Sequence, residues 1–166
     1  MKVVLAGYRT WALSAFETLR MKYSKVEFTV VENHDELLTF NDSVILCAGW
    51  SWIFKKSFIE KNKVICLMHP SDLPDYAGGS PIQNQVLDGI ESTYATLFRA
   101  DVNIDSGPIF EKTSISLRGD ISDIFSELER ATVKLFSNFI DCYPDVKYRH
   151  QNVKKVYKRL TPSQSK

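Results

Sequence analysis

Two runs constrain the fold of this chain more than any other feature: Ser43-Val-Ile-Leu-Cys-Ala48 and Val64-Ile-Cys-Leu-Met68. After Ser43, both are apolar at every inward and outward position. Strands that face solvent on one side alternate apolar with polar residues. Strands covered on both faces do not, and such strands are typical of parallel sheets roofed by helices. The opening segment Lys2-Val-Val-Leu-Ala-Gly-Tyr8 reads the same way, with a turn at Gly7. Val26 to Val31 adds a strand rich in β-branched residues.

Helical patterns alternate with these runs. Thr10 is the expected N-cap of a helix reaching about Met21. Phe54 to Lys61 reads as a short helix, and Asp35 to Phe40 is ambiguous. Beyond His69-Pro70 the loop from Pro70 to Pro81 is expected to be irregular. A helix over Ile82 to Asp88 follows, closed by Gly89. Strands are expected over Thr93 to Ala100 and Pro108 to Leu117, joined by a loop from Asp101 to Gly107. Asp120 caps the clearest helix, whose stripe of Ile121, Ile124, Phe125, Leu128, Leu135, Phe136, Phe139 and Ile140 should face the core. Pro144 stops it. The rest is a basic tail, from Lys147 to Lys166, frayed at its last residues. This element order predicts a single α/β domain with a layered architecture.

Composition narrows the function. With 166 residues, one domain is expected and it can bury a core without staples. Lys+Arg total 21 against 20 Asp+Glu, a formal charge of +1, which argues against a polybasic nucleic-acid binder. Cys47, Cys66 and Cys142 are odd in number and widely spaced, so neither a disulfide framework nor a zinc site is expected. No run of apolar residues is long enough for a membrane span, and the N-terminus lacks a secretory h-region. The expected location is the cytoplasm.

Chemistry concentrates in loops. His69 ends a doubly apolar strand, where ligands bind in open α/β sheets. A histidine there suits general acid–base work, or else a structural hydrogen bond. Asp105 lies in Asp101-Val-Asn-Ile-Asp-Ser-Gly107, where a self-capping Asx turn is the alternative. Gly78-Gly79-Ser80-Pro81 precedes a helix and could cradle an anion, but no Lys-Ser/Thr follows and no P-loop results. The first βα turn, Gly7-Tyr-Arg-Thr-Trp11, lacks a dinucleotide fingerprint. Trp50-Ser-Trp52 follows a strand end and could line a pocket for a flat heterocycle.

Three ordered segments resemble the folate-dependent formyltransferase family: Met68-His-Pro-Ser-Asp-Leu-Pro74, Tyr76-Ala-Gly-Gly-Ser-Pro-Ile-Gln83 and Asp105-Ser-Gly107. The resemblance is good from Val44 to Leu117 and is similar in wording to the small sugar N-formyltransferases. It implies a three-layer Rossmann-like fold with a mostly parallel central sheet. Residues 1–160 would form the catalytic domain and 161–166 a tail. It implies that N10-formyltetrahydrofolate donates a formyl group, without a metal, to the amine of a nucleotide-linked amino sugar (UDP or dTDP) in surface-glycan and lipopolysaccharide biosynthesis. The alternatives are another small amine of the glycinamide ribotide type, or a catalytically weak folate-binding homologue. No tRNA-binding domain is expected at this length, nor a nucleic-acid or membrane partner. A homodimer contact through the N-terminal aromatics and the tail is compatible with the sequence.

The resemblance assigns roles residue by residue. His69 and Asp105 would be catalytic. Trp50, Ser51, Trp52, Met68, Asp101, Val102, Asn103 and Ile104 would hold the folate. Pro70, Ser71, Gly78, Gly79, Ser80, Pro81 and Gln83 would hold the acceptor. Two positions depart from the pattern. The family's Asn two residues before the His is Leu67 here, and the Arg before the first Gly of the Gly-rich loop is Ala77. A backbone N–H, Asn84 or Asn103 would have to replace the missing oxyanion donor.

Overall fold

A computed structural model describes residues 1–164. Six strands form one sheet in the order β2-β1-β3-β4-β6-β7. They are β1 (Lys2–Ala6), β2 (Glu27–Val31), β3 (Val44–Ala48), β4 (Val64–His69), β6 (Ser92–Arg99) and β7 (Ile109–Ser116). β1 to β4 run parallel, while β6 pairs antiparallel with both β4 and β7. Only β6 is therefore reversed, and the mostly parallel sheet is as expected.

The doubly apolar runs serve two cores. Val3, Leu5, Leu46, Cys66 and Met68 face the longer helices α1 (Thr10–Lys22) and α5 (Ile121–Cys142). Val4, Ala6, Ile45, Cys47 and Ile65 face the other way, onto Leu37 of α2 (His34–Leu37) and Phe58 of α3 (Lys56–Glu60). That alternation yields three layers. Phe16 of α1 and Phe136 of α5 stack at 6.2 Å between ring centres, and both are fully buried. Burying an aromatic side chain of this kind stabilises the fold by roughly 1.5–3 kcal/mol. Cys47 and Cys66 are buried and free, and burial raises both thiols, Cys66 to about 12. They are inert core residues.

α5 begins with a reciprocal cap: Asp123 N–H donates to Asp120, and Asp120 N–H donates to the Asp123 carboxylate. Two expected core residues, Ile121 and Phe125, are instead exposed. At 22 residues α5 is about 33 Å long. The eight-residue β7 spans only about 27 Å. β7 ends at Ser116, whose N–H reaches Glu127, so Ile121 and Phe125 precede the stretch of α5 pinned to that strand end. α1 also departs from expectation. Its N-cap is Arg9, without a side-chain cap, and Thr10 is already helical.

The larger correction is in the loop after β4 and in the tail. The Pro70 to Pro81 segment contains a short strand, β5 (Ala77–Gly78), which pairs in parallel with β8 (Val156–Tyr157) of the basic tail. The tail is thus partly structural. Thr161 to Gln164 close a turn through Gln164 N–H to the Thr161 carbonyl. The expected fraying of the last residues falls on Ser165 and Lys166, outside the described residues. α4 (Pro81–Leu87) follows β5 and ends as expected at Gly89. There Gly89 N–H donates to Val86 and Ile90 N–H to Gln85, a Schellman closure. No helix of the described residues is long and apolar enough to cross a membrane.

Candidate active site

His69 is the last residue of β4 and is buried, 7% exposed. Successive β4 side chains alternate faces, so His69 shares the side of Ile65 and Leu67 and points away from Met68. Asp105 comes to it from a different direction. Arg99 N–H donates to the Pro108 carbonyl and Ala100 N–H to that of Ile65. The β6–β7 loop therefore leaves and rejoins the sheet level with the start of β4. It folds back along the strand to bring Asp105 Oδ2 to 3.4 Å from His69 Nδ1.

Two local features make the fold-back feasible. Asp105 adopts a left-handed conformation, φ +50°, which aspartate tolerates better than most residues. Gly107 packs flat on the neighbouring strand: a Cβ there would stand 1.7 Å from the Arg99 carbonyl oxygen. Asp105 and Gly107 of Asp-Ser-Gly thus suit the geometry of this loop, and Gly107 is required by it.

The rest of the constellation comes from β5. Gly78 N–H donates to Asp105 Oδ2 at 2.8 Å. Tyr76, itself left-handed at φ +57°, turns its carbonyl onto His69 Nε2 at 2.8 Å. A carbonyl only accepts, so Nε2 carries the hydrogen of that bond, and Nδ1 is the nitrogen that faces the carboxylate. Tyr76 is held in turn by its hydroxyl, which donates to Asp88 at 2.6 Å, and by its ring, stacked on Tyr157 at 5.1 Å. The Asp88 carboxylate accepting that hydroxyl pushes the Tyr76 phenol up to about 12.

The acceptor residues expected from the sequence are largely engaged within the chain. Gly79 N–H donates to Tyr157, and Ser80 Oγ accepts from Leu160 N–H. With Gly78 N–H on Asp105, this segment is not an open anion cradle; it holds the tail. Ser71 is fully buried, donating to the Asp75 carbonyl while its own carbonyl accepts from Thr96. The Pro70 carbonyl accepts from Gln85, Pro81 opens α4, and Gln83 is exposed on it. Asn84 is no free oxyanion donor either, since its amide donates to the Gly79 and Ser80 carbonyls just before α4. Asn103 remains exposed at the loop tip, beside exposed Asp101 and Val102 and half-buried Ile104.

The expected folate residues separate into groups. Met68 is in the opposite core, where its sulfur accepts from Thr132 at 3.4 Å, so its side chain is remote from the His69 face. Trp50 is half-buried, 5.8 Å from the Tyr8 ring, and its indole Nε1 is buried without a partner. Ser51 and Trp52 are exposed on an open cleft of about 730 Å³ beyond the ends of β1, β2 and β3. Tyr8, Glu32, Asn33, His34 and Arg159 complete it. Tyr8 and Ser51 share a hydrogen bond at 2.8 Å, and the His34 and Trp52 rings stack at 4.5 Å. This crevice lies where the strand order reverses between β1 and β3, the usual ligand position of such sheets.

Sequence reasoning did not single out Tyr76 or His34 in these roles, and it placed Arg159 only within the basic tail. Tyr76 acts through a backbone carbonyl, which side-chain identity does not report. Arg159 arrives through a two-residue strand, too short for periodicity.

Comparison with known proteins shows the family of the chain. The formyl transferase family model matches residues 12–140. The methionyl-tRNA formyltransferase of Agathobacter rectalis is 30% identical over 116 residues, covering 68% of this chain and 37% of that one. Against the solved methionyl-tRNA formyltransferase from Clostridium thermocellum the TM-score is 0.86 at 28% identity, over 99% of this chain and 74% of that one. WlaRD, a sugar 3N-formyl transferase solved with dTDP and 5-N-formyl-THF, gives 0.76 at 17% identity over 96% and 70%, a likeness of fold alone. The chain spans less than half the length of the curated relatives it matches. With the family's pattern running through most of α1, through β2, β3, β4, β6 and β7 of the central sheet and through most of α5, this chain belongs to the formyl transferase family.

Proposed function

We propose that this chain, over residues 1–160, is the catalytic unit of a folate-dependent N-formyltransferase. It would transfer the formyl group of N10-formyltetrahydrofolate to the amine of a nucleotide-linked amino sugar. The observation that carries this is the His69–Asp105 pair, 3.4 Å apart at the end of β4 and bound by Gly78 N–H.

The chemistry follows from the atoms present. The amine attacks the formyl carbon, the carbonyl oxygen becomes an oxyanion, and the C–N10 bond breaks as N10 takes a proton. The attacking nitrogen loses one. Both ring nitrogens of His69 are engaged inside the protein, so the ring acts by exchanging a partner. The Nε2 hydrogen now on the Tyr76 carbonyl is the one that can turn to the oxyanion or to N10. Asp105 stabilises the imidazolium that appears during the transfer. Leu67 offers no donor, so oxyanion stabilisation falls to His69 and to backbone N–H groups.

Trp50, with an unpaired buried indole N–H, and the loop from Asp101 to Ile104 fit the folate. The unpaired donor suits a heteroaromatic acceptor. The cleft of Tyr8, His34, Trp52 and Arg159 supports a nucleotide-bearing acceptor. It joins an exposed aromatic face for a base to a cation for a diphosphate. WlaRD was solved with dTDP and 5-N-formyl-THF, a pairing consistent with this reading.

A second reading is favoured by one observation. The curated relatives are methionyl-tRNA formyltransferases, so an aminoacyl-tRNA amine is the competing acceptor. A direct assay separates them. The purified protein is given N10-formyltetrahydrofolate with UDP- and dTDP-amino sugars, glycinamide ribotide or methionyl-tRNA, and formyl product is read by mass spectrometry. Formylation of an amino sugar, lost in His69→Ala, is expected. Product only on methionyl-tRNA or glycinamide ribotide would replace the acceptor assignment. Folate binding without product on any amine would leave a binding homologue.

A further inference from the structure

The Asp105 loop is strained and leaves the hairpin that bears it, so something must hold it against His69. Gly78 N–H holds the carboxylate, but the backbone of the loop needs its own restraint. That restraint comes from far along the chain. Gln151, 46 positions beyond Asp105, donates from Nε2 to the Asp105 carbonyl at 2.9 Å and to the Gly107 carbonyl at 2.7 Å. We propose that Gln151 is a positioning residue for the His69–Asp105 pair, its amide fixing the loop that carries the carboxylate.

The orientation of the amide is set by its neighbours. Two carbonyl oxygens face it, and only the NH₂ end can donate to both. The other end, Oε1, is buried without a partner. An amide that leaves an acceptor unsatisfied is a costly way to fill space. An apolar side chain would pack there without that cost, so the two donated bonds are what the position supplies. The base of Gln151 is also fixed. Two residues earlier, Arg149 exchanges backbone hydrogen bonds with Ile109 at 2.7 and 2.8 Å, a bridge anchored at the start of β7. Gln151 therefore spans from a rigid strand to the left-handed Asp105 and to Gly107, which is jammed against Arg99. No hydrogen bond or ion pair joins Gln151 to His69, so it acts through Asp105. Misplacing a reacting group by about 1 Å can reduce the rate by about a hundredfold.

This rests on the reading of His69 and Asp105 as the reacting pair, and the test separates the two. Gln151→Met, which keeps length and packing without donors, and Gln151→Ala are compared with wild type, Asp105→Asn and a control, Lys154→Ala. The His69 ring ¹⁵N resonances at pH 7, the Kd for 5-formyltetrahydrofolate, and kcat and KM for whichever amine the panel identifies are measured. Both Gln151 variants should shift the His69 resonances in the direction seen in Asp105→Asn. They should bind 5-formyltetrahydrofolate within about threefold of wild type. Their kcat should fall about tenfold to a hundredfold with little change in KM, and Lys154→Ala should change nothing. Unmoved His69 resonances in both variants would overturn the proposal. So would a loss of folding in both, because a contact that restrains one loop leaves the domain intact. If wild type formylates no amine, the proposed function fails, while the resonances still report whether Gln151 positions Asp105.

Discussion

The backbone N–H of Gly78 and the side chain of His69 meet at one atom: Asp105 Oδ2 accepts from Gly78 at 2.8 Å and stands 3.4 Å from His69 Nδ1. The carboxylate is thus aimed by a peptide group of a two-residue strand that exists because the tail pairs with it. The strand β8 lies directly over Gly78, where an added Cβ would stand 2.4 Å from the Tyr157 carbonyl oxygen, and φ is +100°.

Gly78→Ala should therefore strike stability and activity together. The strained conformation costs about 1–3 kcal/mol, and each kcal/mol lowers Tm by roughly 2–4 °C at this chain length. To accommodate the methyl group, β8 must move off β5, and the Gly78 N–H moves with it. A fall in kcat larger than the Tm loss accounts for, at temperatures where the variant is fully folded, is the expected signature. Thermal denaturation and initial rates measure both. An unchanged rate would show that Asp105 is aimed without this N–H.

Leu67→Asn tests the missing donor. Leu67 is half-buried, two residues before His69 on the same face of β4, and packs on the core facing α2 and α3 and on a small cluster of Leu73, Ala77, Phe98 and Ile109. A polar group placed there should lower stability by about 1–3 kcal/mol. A single oxyanion donor is typically worth about 10²–10³ in rate. The variant should thus be less stable and faster, an opposite-signed pair of effects that general damage does not produce. A folded variant with the wild-type kcat would mean that the oxyanion is already fully donated to.

Much of this was legible in the sequence, and the limits have physical causes. The doubly apolar runs specified the parallel strands because both faces of a buried strand must be apolar. The reciprocal cap at Asp120 was legible because capping is local. His69 and Asp105 were legible as motif residues, and the fold-back that unites them is permitted by Gly107, whose role shows only against Arg99. What escaped were partners made by the backbone or by distant chain. These are the Tyr76 carbonyl on His69, the tail strand on Gly78, and Gln151 on the Asp105 loop. Gly78, Gly79 and Ser80 suggested a ligand cradle because glycines before a helix usually leave N–H groups free. Here the tail and Asp105 had already taken them.

Acid stability offers a prediction independent of the reaction. Glu127 of α5 accepts the Ser116 N–H through Oε1 at 2.8 Å and Arg130 Nε through Oε2 at 3.0 Å, tying the helix to the end of β7. The hydrogen bond from Arg130, then that from Ser116 N–H, holds the Glu127 carboxyl below its ordinary value of 4.5. A depressed folded-state pKa means that the folded chain prefers the charged form more strongly than the unfolded chain does. The stability this supplies is present above about pH 4.5, the unfolded value, and is lost as pH falls through the lower folded one. Both side chains are partly exposed, which limits the contribution to about 1 kcal/mol or less. Glu127→Gln cannot titrate there. Wild type should exceed Glu127→Gln in Tm at pH 6, and the gap should narrow as the pH is lowered to 3. Tm measured at half-unit pH steps for the two proteins decides it, and parallel curves would show that the Glu127 charge contributes nothing to holding α5 on β7.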